Sequence, residues 1–587
     1  MKVLIKFIII VFIVSCNTEY ENELDLLKNE IKVLKEINKL NDFKLYINNS
    51  KISENLVTSI EQLDNNYMIK FENEDIINVK NDILLNYSKD EINWNLRFFL
   101  TDSSIVETFY QIEKLDIKEN DIILNPYKNS PLTALVKINL PLNNKYGYKV
   151  VGQDGSNSDI IINSNSFSKN LEIKILGLYP DYNNEIKIYL KSKNDKLRVE
   201  KSIFIKTEKQ PNNFPVFEII KNYNEPQLNT LFMFEYRPIQ NPLMVDVFGK
   251  IRWYTTGFTA DPKYALSFLK NGNIIYGQGT SPGSVIEFNL FGKLINEYKI
   301  GPDYDIIHHD VVELPNGNLL ATVNKLGIPT IEDHIIEIDR NSKRIIREWD
   351  LRKILPTDRF DFRFLKNGSD WFHNNAVIYD EKDNSLILSG QTQGVVKVSW
   401  NNELKWILAP HVGWSDDYKN YLLKPPNNQP EFDWTWGQHT PLIKPNGNLM
   451  LFDNGFGRNF GNSVNNYSRA VEYNIIENSN NIGGHISQVW EYGKERGDEM
   501  FSPIISDVDF LEKTNTIYIT SGSLAFELNY EDSYNNKLTR DIDKKIRARM
   551  IELDYSKNVK FEMILKTDFF SAVYRSEKIN LSDILKL

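Results

Sequence analysis

Beyond Asn93 the chain alternates apolar and polar residues with period two, in short runs that end at turn residues. Leu132–Ile138, Leu171–Leu176 and Glu185–Leu190 are such runs, with Asn143-Asn144, Gly155 and Asn183-Asn184 between them. This pattern predicts strands, and their succession over residues 96–212 predicts a small N-terminal β-sandwich. The stretch Gln210-Pro211-Asn212-Asn213-Phe214-Pro215 reads as its exit linker.

From about residue 216 the pattern repeats itself. Tyr264 to Asn273, His309 to Asn318 and His439 to Asn448 align without gaps. Each is a half-apolar strand that runs into Asn-Gly, a strong hairpin signal. A fourth copy starts at His373 and a fifth at Ser506, with other turns. Each copy is followed by a second hairpin, for example Ile335–Ile338 then Arg344–Ile346. Four strands per copy make a propeller blade. An outer hairpin, Leu243–Val247 then Lys250–Trp253, precedes the first copy without inner strands. The run Ala572-Val573-Tyr574-Arg575 is placed to supply them and close the ring. The expected fold is thus all-β, with a six-bladed propeller over 213–587 behind the sandwich.

The first hundred residues differ. Lys2 and Lys6 precede an apolar run, Phe7 to Val14, which is followed by Ser15-Cys16. This reads as an export signal over 1–15 rather than a membrane span. Ile13-Val14-Ser15-Cys16 is similar to a bacterial lipobox, which makes Cys16 the expected lipidation site and the membrane a partner through that anchor. The chain is then expected in the cell envelope, with outer-membrane attachment favoured by Asn17. Cys16 is the single cysteine, so no intramolecular disulfide can form. Apolar positions Leu24, Leu27, Ile31, Leu34 and Leu40 predict a short helical stalk within a tether over 16–95. Residues 45–95 carry no readable periodicity. A net charge of −10 without a basic stripe argues against nucleic acid.

In a propeller the innermost strands line the central channel, so equivalent positions converge there. Position one of the repeat is His309, His373 and His439 in three copies, although the chain has only seven histidines. Convergent histidines fit either a metal site or a nucleophile with acid–base partners. The metal reading is the weaker, because no Asp or Glu shares the histidines' repeat position.

Several of these segments resemble the bacterial aryl-sulfate sulfotransferases that work without a nucleotide donor. They include Pro131-Leu132-Thr133-Ala134-Leu135, Leu178-Tyr179-Pro180-Asp181-Tyr182, His308-His309-Asp310, Asp370-Trp371-Phe372-His373-Asn374-Asn375, Trp436-Gly437-Gln438-His439 and Phe452-Asp453-Asn454-Gly455. The resemblance spans roughly 95 to 587 and implies an Ig-like sandwich ahead of a six-bladed propeller. It implies that His439 is transiently sulfated in a ping-pong cycle, with His309 and His373 in support. An aryl sulfate donor, a phenolic acceptor, no cofactor, no metal and a homodimer contact are implied with it. Trp434 and Trp436 lie where a flat substrate would suit them.

One position departs from the family pattern. Where an arginine is expected after the His373 strand, the chain has Gln391. An amide donates hydrogen bonds but brings no charge to a sulfuryl group. Arg458, Lys397 or a protonated histidine are the candidate compensating cations, with Gln391 and Arg458 expected at the substrate. The alternative is a non-catalytic envelope propeller that binds a phenolic, anionic or glycan ligand in its channel.

Overall fold

The computed structural model describes residues 57–585, apart from 64–65, 72–75, 81–83, 90–92, 100–104, 112–114, 192–196, 237–240, 258–265, 279–280, 363–367, 462–465, 531–535 and 570. The expected signal segment 1–15, Cys16, the expected stalk 21–40 and Tyr264 lie outside the described residues. From Val57 onward the expected helical tether is strand instead. Val57–Leu63, Asn66–Phe71 and Ile76–Lys80 form one antiparallel sheet, and Leu84–Lys89, Asn93–Phe99 and Ile105–Gln111 form another.

The sandwich is built around one long strand, Thr133–Val150. Its first half pairs with Ser168–Leu176 and Ile122–Leu124. Its second half pairs with Asn183–Lys191 and Ile160–Asn163, and Leu197–Lys206 extends that side. Leu132, Ala134, Val136, Ile173, Ile175, Ile186 and Ile188 alternate inward and are buried. The period-two pattern thus records which face meets the other layer. The strand Asn93–Phe99, placed in this domain by its texture, belongs to the preceding sheet.

Six blades follow, four of them four-stranded and the fifth and sixth each carrying a fifth strand on the outer edge. The second to fourth run in chain order from their innermost strands Leu266–Phe268, Tyr304–Glu313 and Asn374–Asp380. The fifth starts at His439–Ile443 and the sixth at Asp507–Leu511. The Asn-Gly turns at Gly272, Gly317 and Gly447 share one geometry: each glycine has φ between 81° and 88°, and its N–H donates to the carbonyl three residues back. A side chain at that φ would be strained, which is why the repeat keeps glycine there.

Closure uses both ends of the propeller. The first blade takes its innermost strand from Val573–Asn580 and its other three from Thr230–Tyr236, Asn241–Asp246 and Ile251–Tyr254. The C-terminal run therefore supplies one of the two missing inner strands, and Thr230–Tyr236 supplies the other. A second exchange puts Val216–Lys221 on the outer edge of the sixth blade, against Val559–Lys566.

The sandwich docks on the outer strands of the first two blades. Arg252, fully buried, donates to the carbonyls of Gly177 (2.8 Å) and Ser158 (2.9 Å), to the Tyr179 hydroxyl (2.9 Å) and to Asp246 (2.9 Å). Its guanidinium carbon stacks 3.9 Å from the Tyr179 ring centroid. Ser130 and Trp253 both donate to the Leu290 carbonyl, which ties the second blade into the same contact. Arg252→Ala strands the Asp246 carboxylate and is expected to cost about 3–5 kcal/mol. Chemical denaturation should show the loss, together with faster proteolysis of the 207–215 linker. A variant as stable as the parent would remove Arg252 from this role.

Candidate active site

The three innermost strands that carry the histidines break register at or beside them. The shifts fall between His308 and Val311, between Asn374 and Ala376, and between His439 and Leu442. His309 (φ 50°), His373 (φ 53°) and Ser506 (φ 91°) adopt left-handed backbone, as does Thr440 (φ 46°) after His439. Such bulges re-aim a side chain, and non-glycine residues at positive φ gather where function demands it. The repeat thus turns position one out of the blade face and toward the axis.

His309, His373 and His439 are 6%, 7% and 2% exposed. The rings of His309 and His373 lie 4.8 Å apart. The Tyr574 ring stands 6.0 Å from both His309 and His439. Its hydroxyl donates to the Asn375 carbonyl of the fourth blade at 3.2 Å, so the ring spans the axis. The three histidines and Tyr574 therefore form one buried cluster at the axis.

The environments of the histidines differ. His439 Nδ1 faces two acceptors, Asn454 Oδ1 at 2.8 Å and the Gly437 carbonyl at 3.1 Å. Asn454 is oriented by its amide, which donates to the carbonyls of Ser502 and Ile505. Nδ1 must then carry the proton, and Nε2 keeps its lone pair. Burial pushes the His439 pKa down to about 3, against the hydrogen bond to Asn454 and with help from the charges of His373 and Arg575. His439 is a neutral imidazole with Nε2 available.

His373 is the opposite case. Burial alone would lower its pKa, yet Asp370 and Glu332 raise it well above the ordinary value. Its Nδ1 lies 2.7 Å from Asp370 Oδ2 and 2.9 Å from Glu332 Oε2. Burial would raise the Glu332 carboxyl, but His373 and His309 hold it well below the usual carboxylate range. His309, 3.6 Å from Glu332, is pushed well below its ordinary pKa by burial. One pocket thus holds a neutral imidazole beside an imidazolium braced by two carboxylates.

Glu332 and Asp370 answer the sequence argument against a metal. Acids do accompany the histidines, from outside the repeat position: His308, His309 and Glu332, and Glu332, Asp370 and His373, each place ligand-type atoms within 4.8 Å of one another. The donor types suit a divalent cation, so the ground for setting metal aside does not hold. Glu332 sits off the repeat phase, and no motif marked it. Asp370, Asn454 and Tyr574 stood in recognisable segments without an assigned role.

Gln391 is 1% exposed, takes a backbone bond to the His373 carbonyl (3.0 Å), and leaves its Nε2 without a hydrogen-bond partner. Arg458 is committed to Asp433 (2.7 Å) and Asp453 (2.9 Å), and Lys397 to Asp380, Asp383 and Glu477. Trp436 is buried against Phe460, and Trp434 packs on Phe432 and His411, so both serve the core around the loop.

Two family profiles match the chain. One described as Arylsulfotransferase (ASST) matches residues 216–575, and one described as Arylsulfotransferase Ig-like domain matches 121–208. The chain is similar to arylsulfate sulfotransferase AssT of Escherichia coli O6:H1, at 31% identity over 392 residues. It is also similar to the protein of that name from Lelliottia amnigena, at 30% over 378 residues. The matches cover 55% and 53% of this chain and 62% of each relative's length. A solved structure from Bacteroides caccae, a protein of unknown function, aligns at TM-score 0.37 and 12% identity, over 60% of this chain and 98% of that one.

Proposed function

Because the chain belongs to the arylsulfotransferase family, we propose that it moves a sulfuryl group from an aryl sulfate to a phenolic acceptor through His439. The observation that carries this reading is the tautomer imposed by Asn454 and Gly437, which leaves a neutral Nε2 aimed from the nucleophile position.

In the first half-reaction His439 Nε2 attacks sulfur. The N–S bond forms, the S–O(aryl) bond breaks, and the phenolate leaves with its bonding pair. A phenol has a pKa near ~10, so a proton from His373 eases its departure. In the second half a phenol gives its proton back to His373, its oxygen attacks sulfur, and the N–S bond breaks to return His439. Asp370 and Glu332 stabilise His373 in its charged state and hold its orientation.

The two histidines predict the pH dependence. His439 works when neutral, so kcat/KM falls as pH drops toward about 3. His373 works when protonated, so kcat/KM falls again as pH rises through its raised pKa. A plateau across neutral pH is expected between these limbs.

Incubation with p-nitrophenyl sulfate and phenol tests the reading. Expected is p-nitrophenol release that depends on the acceptor, with parallel lines when both substrates are varied, unchanged by chelators. Absence of release from folded protein with this donor and a panel of related aryl sulfates would overturn it. Release lost to a chelator and restored by a divalent cation would move the chemistry to a metal held at Glu332 with His308 and His309 or with Asp370 and His373. The neutral Gln391 favours the second reading, a propeller that binds an anionic aromatic ligand without turnover. Tight binding of the donor with no product would select it.

A further inference from the structure

Position 391 lacks a charge, and Arg458 and Lys397 are held elsewhere by carboxylates. Another cation stands beside the cluster, paired with Asp310 and near the Tyr574 ring. Arg575 follows Tyr574 on the strand that closes the ring, one residue further along the channel than the histidine positions. Ser506 N–H donates to the Tyr574 carbonyl at 3.1 Å, which aligns the first positions of the neighbouring blades. The Arg575 guanidinium carbon is 5.5 Å from the Tyr574 ring centroid, and that ring borders both His309 and His439.

Arg575 is fixed in place. Its Nη1 donates to Asp310 Oδ1 at 2.7 Å, and Asp310 Oδ2 accepts from the Val377 N–H at 2.9 Å. The first, third and fourth blades therefore hold one guanidinium between them. Its Nε is buried without a hydrogen-bond partner. The other charges that act with it are Asp507 and Asp509 on the sixth blade and Glu577 on its own strand.

The field of Arg575 opposes a proton on His439. The same field must favour an anionic group on that nitrogen, since the sign of the interaction reverses with the sign of the charge. A cation held in place by a paired carboxylate does this with little reorganisation during the reaction. We infer, building on the transfer reaction proposed above, that Arg575 is a positioning residue that supplies the fixed positive charge for the sulfuryl group on His439, in place of a cation at position 391.

The experiment compares wild type, Arg575→Gln, Arg575→Lys, Gln391→Arg, and the double variant Gln391→Arg/Arg575→Gln. Arg575→Gln is expected to lower kcat/KM for p-nitrophenyl sulfate on the order of 10–100-fold. It should also move the acid limb of the pH profile upward, because His439 gains proton affinity when the cation goes. Arg575→Lys should restore most of the rate, and the double variant part of it. Reduced kcat/KM with an unmoved acid limb and no recovery in the double variant would make Arg575 structural and overturn the inference. Gln391→Arg alone reads the same question in a chain with Arg575 intact. A gain below about tenfold is expected if the charge is already supplied, and a gain of 100-fold or more would overturn the inference. Should wild type not turn over, calorimetric titration with p-nitrophenyl sulfate separates the two failures. Weakened binding in Arg575→Gln with near-parental binding in Arg575→Lys then supports the inference, and unchanged binding in Arg575→Gln overturns it.

Discussion

Replacing His439 with alanine is expected to lower acceptor-dependent p-nitrophenol release by roughly 10⁴-fold or more, the scale on which removal of a covalent nucleophile acts. The fold should survive, because His439 contributes a single side-chain hydrogen-bonding edge to Asn454 and the Gly437 carbonyl. The vacated space is lined by those same acceptors, so free imidazole can enter with its N–H toward them and a lone pair toward the donor. Partial recovery of turnover with added imidazole, saturating at high concentration, would distinguish a lost nucleophile from a lost structural contact. A variant that kept a tenth of the parental rate would rule out a covalent role for His439. Replacing His373 should act differently. Loss of the proton donor costs most with poor leaving groups, so the deficit should shrink as the donor's phenol becomes more acidic.

A loss of stability as large as that at Arg252, with activity falling beside it, is expected at Asp453. Its Oδ1 accepts from the N–H groups of Trp436 (2.9 Å) and Gly455 (3.2 Å). Its Oδ2 accepts from Arg458 Nη2 and Arg469 Nε, each at 2.9 Å. All three charged groups are buried, and Arg469 also reaches Gln488, Glu491 and the carbonyls of Asp433 and Trp434. Asp453→Ala leaves two buried guanidinium groups short of their shared carboxylate. Such a change costs about 3–5 kcal/mol. It also unpins Trp436-Gly437-Gln438-His439, so activity should fall at temperatures where the variant is still folded. Guanidinium denaturation would measure the first effect and steady-state kinetics the second. A loss under 1 kcal/mol would show that the cluster is redundant.

How far the chain could be read from its sequence follows from what kind of order each part uses. Blades are local hairpins with period-two burial, so their number and the phase of their histidines are written in short segments such as His309 to Asn318. Ring closure was legible only in outline. Ala572 to Arg575 advertises a strand, but nothing local says that Thr230–Tyr236 completes the same blade. The carboxylates that set the protonation of His373 are a matter of distance in space. Asp370 stands three residues from it, whereas Glu332 arrives from a turn of the preceding blade, forty-one positions earlier. Arg575 was counted only as part of a closing strand, because its partner Asp310 lies 265 positions away. Residues 57–111 show the converse: their strands form two small sheets, but the Asn- and Asp-rich texture dilutes the alternation that would have revealed them.

The strand Val573–Asn580 also sets a clock on the molecule. A chain emerges from the ribosome N-terminus first, and its domains generally fold as they appear. Here the first blade waits, with three strands made by Tyr254 and its innermost place vacant, until the chain has been synthesised through Asn580. Tyr574 and Arg575 arrive with that last strand. The histidine cluster therefore cannot be whole in a nascent or prematurely released chain until translation has passed the sixth blade, and the transfer proposed for it could begin only then.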